Sequence, residues 1–120
     1  MYAHLAECCV VLPNSRSLIE KVCLRVADLC KSRIDYGNET TLLFMDGEAL
    51  VTAVDRGLLI WVGATNIVSY HAIRIALEGT ILDIAPIAPG MVGWYEADQK
   101  RFATIERALG TDIVQGVTKA

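Results

Sequence analysis

The chain is poor in the residues that do chemistry. Its two histidines, His4 and His71, stand far apart, and neither is accompanied by a serine, cysteine or carboxylate in the spacing of a nucleophile–base pair. Four cysteines are present, but none forms a Cys-x-x-Cys pair or joins a histidine at ligand spacing. That excludes the common zinc patterns and leaves reduced, mostly buried thiols as the expectation. Basic residues number 11 against 14 acidic ones, with a net charge of −3 and a pI near 5.3. No basic stripe is available to neutralise phosphates, so nucleic-acid binding is not expected. No run of about 18 residues or more, the length that spans a bilayer, is free of charge. No basic segment precedes a short apolar run, so neither membrane association nor a secretory leader is expected and the cytoplasm is the default. Gly90 and Gly93 lack the strand–loop–helix setting of a phosphate loop.

What the chain has instead is apolar pattern. Hydrophobic residues make up 53% of it, above the usual range of about 45–50%, which predicts buried surface beyond that of a monomer. The stretch Thr41–Ser69 is the most legible. Leu42-Leu43-Phe44 stops at Asp46-Gly47, Ala49–Val54 follows as a β-compatible run, and Asp55-Arg56-Gly57 turns the chain back into Leu58-Leu59-Ile60-Trp61-Val62. Connections this short make an antiparallel meander, since a parallel return needs a crossover. The third run is wholly apolar, so it must be covered on both faces, by helices on one side and by more chain or a partner subunit on the other. Asp46, Glu48 and Asp55 read as turn carboxylates that satisfy local donors rather than as an acid–base pair.

Helical spacing brackets the meander. Leu18, Val22, Val26 and Leu29 or Cys30 form one stripe, with Ser17 and Glu20 in capping-box relation and Asn14 or Ser15 as an earlier start. His4–Leu12 reads as a strand ended by Pro13-Asn14, with Cys8 and Cys9 pointing to opposite faces. Asp35–Glu39 reads as a loop. A second helix begins at the N-cap Asn66, with Ile67, Tyr70, Ile73 and Leu77 on one face and Arg74 at its edge, paired with Glu78. Gly79 is the preferred C-cap, with 80–84 as a short strand. The alternative is a helix running on to Ala85. Residues 86–96 read as a turn-rich connector holding the apolar island Met91–Tyr95. A last helix is expected from Ala97 to Leu109, closed by Gly110, with 111–120 as a flexible tail.

The expectation is therefore one α+β domain over residues 1–120. A single layer of mostly antiparallel sheet, four or five strands in the order strand, helix, three-strand meander, helix, carries helices packed on it and a C-terminal helix. No catalytic, cofactor-binding or metal-binding residue is assigned. Leu58, Ile60, Trp61, Trp94 and Tyr95 are the interface candidates, and Tyr70 and His71 the polar-site candidates.

The block Ser17–Thr80 resembles the roadblock/dynein-light-chain family of small dimeric domains. The similar pieces are Leu18–Cys30, Leu42–Phe44, Ala49–Val54, Leu58–Val62 and Asn66–Glu78, the last entered through Gly63-Ala64-Thr65-Asn66-Ile67-Val68. The resemblance implies a homodimer with helices and sheet edges joined across a two-fold axis, acting as a non-catalytic regulator or scaffold for a small GTPase. His4–Leu12 and Pro86–Gly110 have no counterpart in that pattern. The element order also resembles many uncharacterised bacterial families of small α+β domains, which would imply the same class and no known activity. The alternatives to a homodimeric interaction module are a small-ligand-binding protein and a small enzyme of unknown substrate.

Overall fold

Three tight turns fold the middle of the chain into a meander. In the computed structural model, which describes residues 2–85 and 92–109, strands β2 (Ser32–Tyr36), β3 (Glu39–Phe44), β4 (Gly47–Val54) and β5 (Gly57–Ala64) follow one another with two-residue connections. Gly37 turns the first with a φ of 60°, a left-handed conformation that costs glycine nothing. In the next two turns the glycine stands one place later than its usual hairpin position. Met45-Asp46 and Asp55-Arg56 make the turns, while Gly47 and Gly57 open β4 and β5 opposite Phe44 and Val54. Their role is close approach: a Cβ on Gly57 would overlap the Val10 carbonyl oxygen, and one on Gly47 would stand 2.5 Å from that of Gly63.

Strand β1 (His4–Val11) lies antiparallel to β5, with His4 opposite Ala64 and Val11 opposite Gly57. Its other edge takes β6 (Gly93–Glu96), giving the sheet order β2-β3-β4-β5-β1-β6. Six strands among the described residues replace the four or five expected. The additional ones are the two edges. β2 is short and mostly exposed, its last residues Asp35 and Tyr36 falling in the stretch Asp35–Glu39 read as a loop, and β6 is four residues long within the stretch read as a connector.

Helices α1 (Ser15–Val26) and α2 (Ile67–Ile84) cover one face, over Cys8, Val10, Val51, Leu58, Ile60 and Val62. α1 starts at the earlier of the two expected places. Asn14 precedes it, and the Ser17 hydroxyl donates to the Asn14 carbonyl at 3.0 Å, while Glu20 pairs with Arg33 of β2 at 2.7 Å; the Ser17–Glu20 capping box is not made. A single 3₁₀ turn over Ala27–Leu29 ends this helix before Cys30. Asn66 does cap α2, accepting from the Ser69 amide at 2.8 Å. α2 then runs through Gly79, which corrects the preference for a C-cap there. Ile81 continues the buried stripe of Ile73 and Leu77, and burying it is worth about 1.5–3 kcal/mol, more than the about 1 kcal/mol that a mid-helix glycine costs.

The opposite face is covered by the chain itself. Leu50, Val54, Leu59 and Trp61 pack with Phe102 and Ile105, and the Trp61 indole donates to the Asp98 carbonyl at 3.2 Å. The helix there, α3 (Ala103–Leu109), starts six residues later than the expected Ala97, because Phe102 takes a φ of 65° that no α-helix admits. Its first turn is closed from outside. Glu7, 0% exposed on β1, accepts the amides of Phe102 and, at 2.9 Å, Ile105. Burial raises the Glu7 pKa above the ordinary carboxyl value despite these donors, which act to lower it. Gly110, Pro86, Pro89, Gly90, Met91 and 111–120 lie outside the described residues.

Two measurements check this packing. Ile60→Ala removes a fully buried side chain beneath the helices and is expected to cost about 2–5 kcal/mol in urea denaturation. Glu7→Gln leaves one of these two amides without its acceptor, at about 1–3 kcal/mol. A raised folded-state pKa makes the stability due to Glu7 protonation complete below the ordinary carboxyl range and lost as pH rises through the raised value. That decline is expected to be missing from pH-dependent melts of Glu7→Gln.

Candidate functional site

Helix α2 presents one flank to β6, and its i, i+4, i+8 residues are Tyr70, Arg74 and Glu78. The Arg74 guanidinium lies 5.1 Å from the Tyr70 ring centre and 4.9 Å from that of Trp94 on β6. One of its nitrogens donates to the Tyr70 hydroxyl at 3.1 Å, while Nε is buried with no acceptor among the described residues. Glu78 does not pair with Arg74 as expected from their spacing. It accepts from the Trp94 indole at 2.6 Å instead, a short charge-assisted bond. His4 closes the other side, its ring 5.7 Å from Tyr70. Between these groups is a cavity of about 290 Å³, with Glu96 on its rim. The arrangement is a half-buried cation walled by aromatic rings, with no carboxylate in contact with it among the described residues.

Sequence reasoning singled out Tyr70 and Trp94, and the fold brings them together around Arg74. His71, the other polar candidate, is exposed beyond Tyr70 and does not line the cavity. Tyr95 points to the opposite face, toward the Trp61 cluster. Leu58, Ile60 and Trp61 are buried within the chain, so an interface has to be built from other residues. The sequence reading missed His4, Glu96 and the central place of Arg74. The available signal was the Tyr-x-x-x-Arg-x-x-x-Glu spacing, but its partners lie on strands at the two ends of the chain.

The thiols are not poised for nucleophilic work. Burial pushes Cys8 up to about 12 and Cys23 up to about 11, and it raises Cys9 and Cys30 as well, so all four stay protonated near neutral pH. Cys8 and Cys9 do face opposite sides of β1, one in each core cluster. Among the described residues no three His, Cys, Asp or Glu side chains come together to hold a metal ion, and no helix is long and apolar enough to cross a membrane.

A second feature lies on the solvent side of α2. Val68 (75% exposed), Ala72, Ile75 (69% exposed) and Gly79 follow one another at intervals of four, three and four residues. Beside them a shallow apolar groove of about 220 Å³ is lined by Leu29, Phe44, Met45, Ala72 and Ala76.

No family model matches the chain, and no curated protein does. Among solved structures it is similar to the NMR structure of PA4090 from Pseudomonas aeruginosa, with a TM-score of 0.66 and 10% identity over 80% of this chain and 99% of that one. At that identity the likeness is one of fold. It supports the α+β architecture and carries no activity with it.

Because His71 stands outside the cavity, His71→Ala is expected to change stability by less than about 0.5 kcal/mol. Thermal melts of the two proteins check this.

Proposed function

We propose that this chain is a non-catalytic protein-interaction module that works as a homodimer, with the solvent face of α2 as its two-fold contact. The observation that carries the reading is the apolar seam of Val68, Ala72, Ile75 and Gly79. A helix on the surface of a monomer turns charge outward. This one turns out a stripe at the four–three spacing that two packed helices use. Small Ala72 and Gly79 alternate with the larger Val68 and Ile75, so an antiparallel copy can seat its large side chains against the small ones. The adjacent groove, with Met45 80% exposed and Leu29 62% exposed, adds apolar area to the same side. A self-complementary patch of this kind is what a two-fold contact requires.

The wholly apolar third strand, β5, does not contribute to this argument, because α3 and Phe102 already cover its second face. The roadblock-like pattern of Ser17–Thr80 supports a small GTPase as the class of partner for the dimer. The buried, protonated thiols and the exposed, isolated His71 favour a binding role over turnover.

Sedimentation at micromolar concentration is expected to give twice the 13.1 kDa chain mass. Ile75→Glu, which places a charge in the seam, is expected to sediment as a monomer with unchanged circular dichroism. A monomeric parent, or a dimer indifferent to Ile75→Glu, would overturn the reading.

A further inference from the structure

The geometry points to a ligand site at Arg74 for a small monoanionic carboxylate that carries a planar group. It is separate from the α2 seam and does not depend on dimerisation. Arg74 is half-buried on the inner flank of α2, and Tyr70 and Trp94 occupy its ring-stacking surroundings. A guanidinium packed against aromatic rings keeps its N–H groups in its own plane, where they match the two oxygens of a carboxylate. Only one of those donors has an acceptor among the described residues, the Tyr70 hydroxyl, and Nε has none. A buried donor of a charged group without an acceptor is unfavourable, and a bound carboxylate reached by a small turn of the side chain would relieve it.

Neighbouring groups define the rest of the ligand. Glu78, the carboxylate four residues along the helix, is held by the Trp94 indole at 2.6 Å and so is not delivered to Arg74. Glu78, bonded to the wall residue Trp94, and Glu96 on the rim nevertheless place negative charge near the cavity. A single negative charge can be balanced by Arg74, whereas a phosphate dianion would meet repulsion from both, which selects by charge. The cavity of about 290 Å³ is at the lower end of small-molecule pockets, about 300–1,000 Å³. The His4 and Trp94 rings offer flat walls to a planar group attached to the carboxylate.

The test is an NMR titration of the full chain with sodium benzoate at constant ionic strength, read at the Trp94 indole N–H, whose resonance Trp94→Phe identifies. Benzamide and inorganic phosphate serve as the neutral and dianionic probes. Benzoate is expected to give a saturable shift below about 50 mM, and benzamide and phosphate none. Arg74→Gln is expected to weaken benzoate at least about tenfold with the spectrum still dispersed. Arg74→Lys, which keeps the charge and loses the planar pair of donors, is expected to weaken it as well. No saturable shift with benzoate, an equal response to benzamide or phosphate, or undiminished affinity in Arg74→Lys would overturn the assignment. If Arg74→Gln fails to fold, the Arg74→Lys comparison decides. A monomeric protein that binds benzoate would refute the dimer and leave this site standing.

Discussion

The structure depends on burying one strand from both sides. β5 has no exposed residue from Gly57 to Ala64, and its two neighbouring strands and all three α-helices of the described residues are placed to cover it. β4 and β1 take its two edges. Helices α1 and α2 cover Leu58, Ile60 and Val62, and Phe102 and Ile105 cover Leu59 and Trp61. The second cover is the harder one to hold, because α3 is short and a helix of seven residues does not persist on its own. Glu7 holds it by accepting the amides of Phe102, just ahead of the helix, and of Ile105 within it, from a strand that is itself hydrogen-bonded between β5 and β6. A buried carboxylate is thus the link between the first strand of the chain and its last described helix. Arg101 adds to the same corner, its guanidinium 5.0 Å from the Trp61 ring.

How far the sequence revealed this follows from which elements are periodic. The meander from Leu42 to Val62 and the buried stripe Ile73, Leu77 were legible because turn residues punctuate them and their apolar spacing is regular. β2 was not, because it is a short edge strand whose apolar Ile34 and Tyr36 stand exposed and alternate with Arg33 and Asp35, so no buried face marks it. α3 was placed too early because Ala97, Phe102 and Ile105 are all apolar. What stops the helix short of Ala97 is the left-handed conformation of Phe102, a tertiary matter set by Glu7 and Trp61. Glu7 itself could not have been read as buried, since a lone carboxylate in an apolar run is ordinarily a residue on an exposed face. Its partners lie about a hundred residues away along the chain.

The Arg74 cluster shows the same limit in another form. Spacing alone pairs Arg74 with Glu78, and in an isolated helix they would pair. Docking β6 beside α2 brings in the Trp94 indole as a donor, and the carboxylate turns to it at 2.6 Å. A local rule is overridden by a residue sixteen positions further on. The guanidinium then has the Tyr70 and Trp94 rings and the Tyr70 hydroxyl for company.

Helix α2 accordingly has three uses on one cylinder. Ile73, Leu77 and Ile81 enter the core; Tyr70, Arg74 and Glu78 face β6; Val68, Ala72, Ile75 and Gly79 face solvent. Because apolar residues stand on two of these faces, no single direction around the helix is distinctly hydrophobic, and periodicity identifies the element without saying which side is inside. That ambiguity has a physical cause. A helix with one partner needs one stripe, and a helix that packs on a sheet and also offers an apolar seam outward needs two. The second stripe leaves Val68 and Ile75, 75% and 69% exposed, as apolar area on the outer side of the helix, the kind of surface that marks a contact site when it is contiguous.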